Sequence, residues 1–161
     1  MMKTSFKKGD VTYCGVYCGA CHWKRASREN DERHLTEKRR MLESIEKQYW
    51  LACPGCKVGS HRADCEFRIC AESRGLDRCV DCNEFPCKRH VDFNNDGVQH
   101  HANSLASLNV LKNDGEDVWL ELQEKRWTCS CGAKLSWYLK SCLKCGKLVD
   151  LKSRNVSQNR R

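Results

Sequence analysis

Fourteen cysteines in 161 residues raise the first question: what chemistry do so many thiols serve? Cys14, Cys18 and Cys21 open the series in "CGVYCGAC", and Cys53 and Cys56 follow in "CPGC". Cys65, Cys70, Cys79, Cys82 and Cys87 come next, and Cys129, Cys131, Cys142 and Cys145 close it. Such density is explained either by disulfides in an oxidising compartment or by metal thiolates in a reducing one. The N-terminus "MMKTSFKKGD" has charge but no apolar run after it, so no signal peptide is expected. No stretch approaches the length of a membrane span. The expected location is therefore cytoplasmic, where close thiol pairs serve metal more often than disulfides. All fourteen cysteines are candidate ligands, and Zn2+ is the favoured ion. Two or three ions are expected over residues 14–87 and one in the C-terminal group, since each takes four thiolates. An iron–sulfur cluster in the N-terminal part is the alternative.

The C-terminal group is the strongest local signal. Cys129 and Cys131 form one pair, Cys142 and Cys145 another, with ten residues between the pairs. Gly132 and Gly146 directly follow the second thiol of each pair. A zinc knuckle needs backbone N–H groups turned toward the sulfurs, and glycine accepts the positive φ this requires. Ser136, Trp137, Tyr138 and Leu139 suit a short hairpin strand. The first pair is one residue shorter than the usual C-x2-C. A tetrahedral zinc ribbon is favoured over two disulfides. Lys134, Lys140, Lys144 and Lys147 interleave with Trp127, Trp137 and Tyr138, the composition of a surface for single-stranded nucleic acid. Packing of those rings on the hairpin is the plainer reading and is preferred.

Ten thiols remain upstream. One partition assigns Cys53 and Cys56 to a site with Cys65 or Cys70, and Cys79, Cys82 and Cys87 to another. A third site would recruit His22 or His61. Cys53, Cys56, His61 and Cys65 fall one residue short of a retroviral-type knuckle that grips single-stranded RNA. That near-match arises easily in a Cys-rich loop. "CPGC" lacks the βαβ setting of a redox dithiol. C-x3-C-x2-C is also the spacing of radical S-adenosylmethionine enzymes. Their barrel takes about 200 residues, and no run of alternating strands and helices is visible here. A simpler iron–sulfur cluster on Cys14, Cys18, Cys21 and a remote cysteine passes this test.

Helices must carry these thiols. Leu35, Leu42, Ile45 and Tyr49 in residues 27–50 recur at helical spacing, with Asn30 or Ser27 as a start cap. A second helix is expected from His100 to Lys112, with Leu105, Leu108 and Leu111 on one face. "NDG" at 113–115 breaks it. A third runs from Glu116 to Lys125, with Val118, Trp119 and Leu122 inward. The charge is uneven: +5 over residues 1–90, −6 over 91–124 and +9 over 125–161. Three tetrathiolate zinc sites would bring the total of +8 to about +2, so a basic composition says little about nucleic acid. The expected organisation is a Cys-rich metal-binding domain (1–90), a helical acidic spacer (91–124), a zinc ribbon (125–150) and a disordered tail (151–161). The fold class is a small irregular α-rich, metal-stabilised domain (α+β, few strands) with a C-terminal zinc-ribbon hairpin.

The stretches "YCGVYCGAC" (13–21), "CPGC" (53–56), "CEFRICAESRGLDRCVDCNEFPC" (65–87) and the tail from residue 118 to 146 together resemble the cysteine-rich domain-of-unknown-function family 3795. The resemblance implies an intracellular prokaryotic protein labelled zinc-binding, with no established reaction. The C-terminal ribbon is an appendage in part of that family, so residues 129–145 stand mainly on their own spacing. No Ser/His/Asp set, paired-carboxylate site or phosphate loop stands out; His100-His101 beside acidic residues could bind metal, but a solvated helix start is the preferred reading. The expected role is a metal-stabilised module that binds a macromolecule without catalysis. Its partner would be a protein or single-stranded nucleic acid, reached through the basic ribbon and not at a membrane. The alternative is an iron–sulfur or thiol redox protein built on Cys14, Cys18 and Cys21.

Overall fold

A computed structural model describes residues 8–38, 53–58 and 64–150. Five α-helices lie among the described residues. They are α1 (His22–Glu29), α2 (Glu66–Ser73), α3 (Lys88–Asn94), α4 (Ser104–Asp114) and α5 (Glu116–Arg126). Short 3-10 turns at Lys8–Asp10, Cys18–Ala20, Glu32–Lys38 and Cys79–Asp81 connect or flank them. The extended pairing described is limited to two antiparallel bridges, Thr128 with Lys134 and Ser141 with Leu148. The α-rich expectation holds, whereas a strand at Ser136–Leu139 does not form. Those residues turn instead, with Leu139 N–H donating to Ser136 O at 3.2 Å. The reason is Trp137. Its ring is drawn into the core, and its N–H is spent on Ala20 O at 3.1 Å.

One apolar cluster joins distant parts of the chain. Val11, Val16, Tyr17 and Ala20 pack with Val80, with Leu108, Val110 and Leu111 of α4, with Trp119 and Leu120 of α5, and with Trp137. The helices of the acidic stretch 91–124 thus supply much of the core themselves. Trp119 is fully buried, and its indole N–H donates to Ser107 Oγ at 2.7 Å. Ser107 in turn donates to Gly15 O at 2.7 Å. That relay leaves no polar atom of the pair unsatisfied, which is the condition for burying an indole. Tyr17 Oη donates to Glu124 Oε1 at 2.6 Å, clamping the first Cys-rich segment to α5.

Three helix expectations change in detail. Asn30 ends a helix instead of starting one: it takes the left-handed conformation (φ 50°) after α1, and its N–H returns to Ala26 O. Ser27 lies inside α1. Leu35 is buried, but in the 3-10 segment Glu32–Lys38 against Ala26 and Trp23; positions 42, 45 and 49 lie outside the described residues. The second helix begins at Ser104, not at His100. It ends at Asp114 as "NDG" requires, and Gly115 separates it from α5 with φ 85°. On α5, Trp119 faces inward as expected. Its inward neighbours are Leu120 and Gln123, while Val118 and Leu122 are exposed. The helix has too few apolar residues for its own pattern to fix the phase, so Trp119 fixes it by filling the space against Tyr17 and Ser107.

Candidate metal centre

Cys129, Cys131, Cys142 and Cys145 converge: their four sulfurs lie within 4.8 Å of one another. Cys129 and Cys145 are 3.7 Å apart, and so are Cys131 and Cys142. A tetrahedral ion bound at about 2.3 Å from each sulfur requires sulfurs about 3.8 Å apart. Two similar turns produce this arrangement. In the first, Gly132 N–H returns to Cys129 O and Cys129 N–H donates to Ala133 O. In the second, Gly146 N–H returns to Cys142 O and Cys142 N–H donates to Lys147 O. Gly132 (φ 85°) and Gly146 (φ 72°) take the positive φ predicted from their place after each pair. The short C-x-C pair closes as well as the C-x2-C pair does.

The backbone also tunes these thiols. The Cys131 N–H, turned toward Cys129, holds that thiol low, at about 6. Burial pushes Cys142 up, but the N–H groups of Cys145 and Lys144 leave it below its ordinary value. The N–H of Lys147 draws Cys145 down, but its contacts with Cys131 and Cys129 leave it up at about 11, so thiolate character sits on Cys129 and Cys142. Leu135, Leu139, Ala133 and Val149 pack around the group as a small apolar cluster of its own.

The ten upstream thiols form two neighbourhoods. Cys18 and Cys21, in and just after the 3-10 turn before α1, meet Cys53 and Cys56. The Cys56 thiol donates a hydrogen bond to the Cys18 sulfur and, with the Lys24 ammonium, lowers Cys18 to about 6. Burial pushes Cys21 up to about 12, and the nearby Cys18 and Cys53 add to it. Cys53 is raised by burial, and Cys56 chiefly by its contact with Cys18. Cys14 stands between the two groups, since it also raises Cys56. Cys14 feels Cys65 and, like it, acts on Cys79. Cys79, Cys82 and Cys87 keep company as the spacing suggests, but with Cys70. The pair Cys53/Cys56 joins Cys18/Cys21, in place of the expected Cys65 or Cys70.

Cys70 from α2, Cys79 and Cys82 at the ends of one 3-10 turn, and Cys87 at the start of α3 line one cavity of about 330 Å³. Phe67 and Phe85 also line it. Burial, then the neighbouring Cys14, Cys70, Cys87 and Cys65, push Cys79 up to about 12.

Sequence reasoning missed two cations beside these sulfurs. Lys24, on α1, is nearly buried, pairs with Asp10 at 2.9 Å and acts on Cys18. Arg74 donates to Cys82 Sγ at 3.4 Å while paired with Glu84 at 3.0 Å. Nothing in the spacing marked either one, because each reaches its sulfur through the fold. Of the histidines considered, His22 packs among Trp23, Trp137 and Tyr138. His100 stacks on Trp137 at 4.0 Å, and its Nδ1 lies 2.6 Å from Tyr138 Oη. His101 pairs with Asp96. His61 lies outside the described residues.

A family model described as "Protein of unknown function (DUF3795)" matches residues 10–92, just over half of the chain. The chain belongs to the DUF3795 family. The DUF3795 match spans all ten upstream cysteines and ends before the converged C-terminal group. No curated protein and no solved structure matches the chain. No helix among the described residues is long and apolar enough to cross a membrane.

Proposed function

We propose that this DUF3795 protein is a zinc-stabilised binding module without catalysis of its own. The observation that supports it best is the convergence of Cys129, Cys131, Cys142 and Cys145 at the spacing a tetrahedral thiolate site requires. In this reading one zinc closes the ribbon hairpin, and Cys18, Cys21, Cys53 and Cys56 hold another as two C-x2-C pairs. The remaining upstream cysteines serve metal too. The partner is a macromolecule that meets the ribbon face, where Lys140, Lys144 and Lys147 are exposed and Leu148 is 82% exposed. A protein partner is favoured over single-stranded nucleic acid. Trp137 is only 9% exposed and Lys134 is ion-paired with Glu124, so the ribbon offers few rings and cations for stacked bases.

Elemental analysis of the intact chain tests the metal, and an oligonucleotide titration tests the partner. Cys142→Ser should remove about one zinc per chain; retention of all zinc would reject the ribbon site. Single-stranded oligonucleotide should bind weakly and only at low salt, because phosphate contacts alone are left. Binding that persists at high salt would point to base stacking and overturn the protein-partner reading.

A further inference from the structure

The ribbon gives this chain an internal standard for a single-ion site. Its four sulfurs gather within 4.8 Å, and among the described residues it is the Cys, His and carboxylate group that gathers so tightly. Cys70, Cys79, Cys82 and Cys87 contrast with it. They come from three separate elements, α2, the turn Cys79–Asp81 and the start of α3, and stand around a cavity of about 330 Å³. Four thiols held apart around a volume, instead of drawn to a point, suit a polynuclear centre. In a cube-like four-iron cluster each thiolate bonds a different iron, so the sulfurs stand well apart with the cluster between them.

We propose that Cys70, Cys79, Cys82 and Cys87 hold a four-iron, four-sulfide cluster in this cavity. The walls fit the occupant. Phe67, Phe85, Leu76 and Ala71 give the space an apolar wall, beside the charged Arg74, Glu84, Lys88 and Arg89 that also line it; apolar walls limit solvent access to clusters and nearby charge sets their potential. His90 is buried against Phe67 and Phe85 and closes one side. Arg74 reaches a sulfur directly: its guanidinium donates to Cys82 Sγ at 3.4 Å. An N–H donated to a ligating sulfur withdraws charge from the cluster and raises its reduction potential. Glu84 holds that guanidinium through both of its terminal nitrogens, at 3.0 and 3.2 Å, one of them being the nitrogen that donates to Cys82. The proposal deepens the metalloprotein reading above and rests on the chain being one, but it uses no ligand of the ribbon or of the Cys18/Cys21/Cys53/Cys56 group.

The experiment compares the full chain purified without oxygen with Cys79→Ser/Cys82→Ser, Cys129→Ser/Cys142→Ser and Arg74→Gln variants. Iron, acid-labile sulfide and zinc are counted, and electron paramagnetic resonance spectra are taken after reduction. The expected result is about four iron and four sulfide per chain in the parent and the ribbon variant. Iron should fall at least tenfold in Cys79→Ser/Cys82→Ser. Arg74→Gln should keep its iron and show a lower midpoint potential; this readout stands even if the double serine variant misfolds. An unchanged potential in Arg74→Gln would remove Arg74 from the site. Iron retained in a folded Cys79→Ser/Cys82→Ser chain would overturn the assignment. So would a parent chain that carries only zinc and takes up no cluster when supplied with iron and sulfide under reducing conditions. Loss of zinc from the ribbon variant with iron unchanged would keep this proposal separate from the fate of the zinc reading.

Discussion

At the scale of single residues, Asp10 shows how charge is managed in this small core. It is 3% exposed and takes Lys24 at 2.9 Å and Arg28 at 2.8 Å. Burial pushes its carboxyl up, yet the hydrogen bonds of Arg28 and Lys24 leave it below the ordinary carboxylate value. The folded value is therefore lower than the unfolded one, about 3.9. The stabilisation is fully present above that pH and is lost as pH falls through the depressed folded value. Asp10→Asn should cost about 3–5 kcal/mol at neutral pH, because it strands the nearly buried Lys24 charge. The gap between the two chains in urea unfolding should narrow below pH about 4. The difference is the quantity to read, since acid also protonates any metal-bound thiolate in both chains. A gap that is the same at both pH values would show that the ionisation of Asp10 is not what stabilises the fold. This network was not legible in the sequence, because Asp10, Lys24 and Arg28 are ordinary charges until the fold buries them. The converged group Cys129, Cys131, Cys142 and Cys145 and the glycines that follow its pairs were legible, because such turns are written in adjacent residues.

At the scale of elements, the junction between α4 and α5 rests on one residue. Gly115 holds φ 85° and ψ 172°, a region that side-chain-bearing residues avoid. A Cβ there would meet nothing within 4 Å, so the cost of adding one is conformational and not steric crowding. Gly115→Ala should lose about 1–3 kcal/mol, seen as a lower thermal midpoint with metal content unchanged. No shift would mean that the two helices re-form around another turn. The break itself could be read from "NDG", yet the inward face of α5 could not. Leu120 and Gln123 displace Val118 and Leu122 because the partners that select the face, Tyr17 and Ser107, lie far upstream in sequence. A helix this short and polar has no strong phase until it docks.

For the whole molecule, the thiol groupings depend on contacts across long stretches of chain. Cys18 and Cys21 find Cys53 and Cys56, and Cys70 finds Cys79, Cys82 and Cys87. Spacing alone gives the pairs but not which pairs meet, which is why the sequence suggested a different partition. Chelation under reducing conditions should unfold the body as well as the ribbon, since metal binding supplies folding free energy to domains with so small a core. Circular dichroism that stays native after verified metal loss would contradict this. Trp137→Ala should destabilise the intact chain by about 3–5 kcal/mol, the cost of emptying a buried aromatic site. A selective loss of ligand binding at unchanged stability would count against that. Trp137 sits in the body like a stopper, between Ala20, which accepts its N–H, and the stacked ring of His100. Any kin of this protein that end soon after α5 inherit the socket without the stopper. A larger residue in place of the buried Ala20 is the expected compensation, and natural variation there should follow the presence or absence of the C-terminal group.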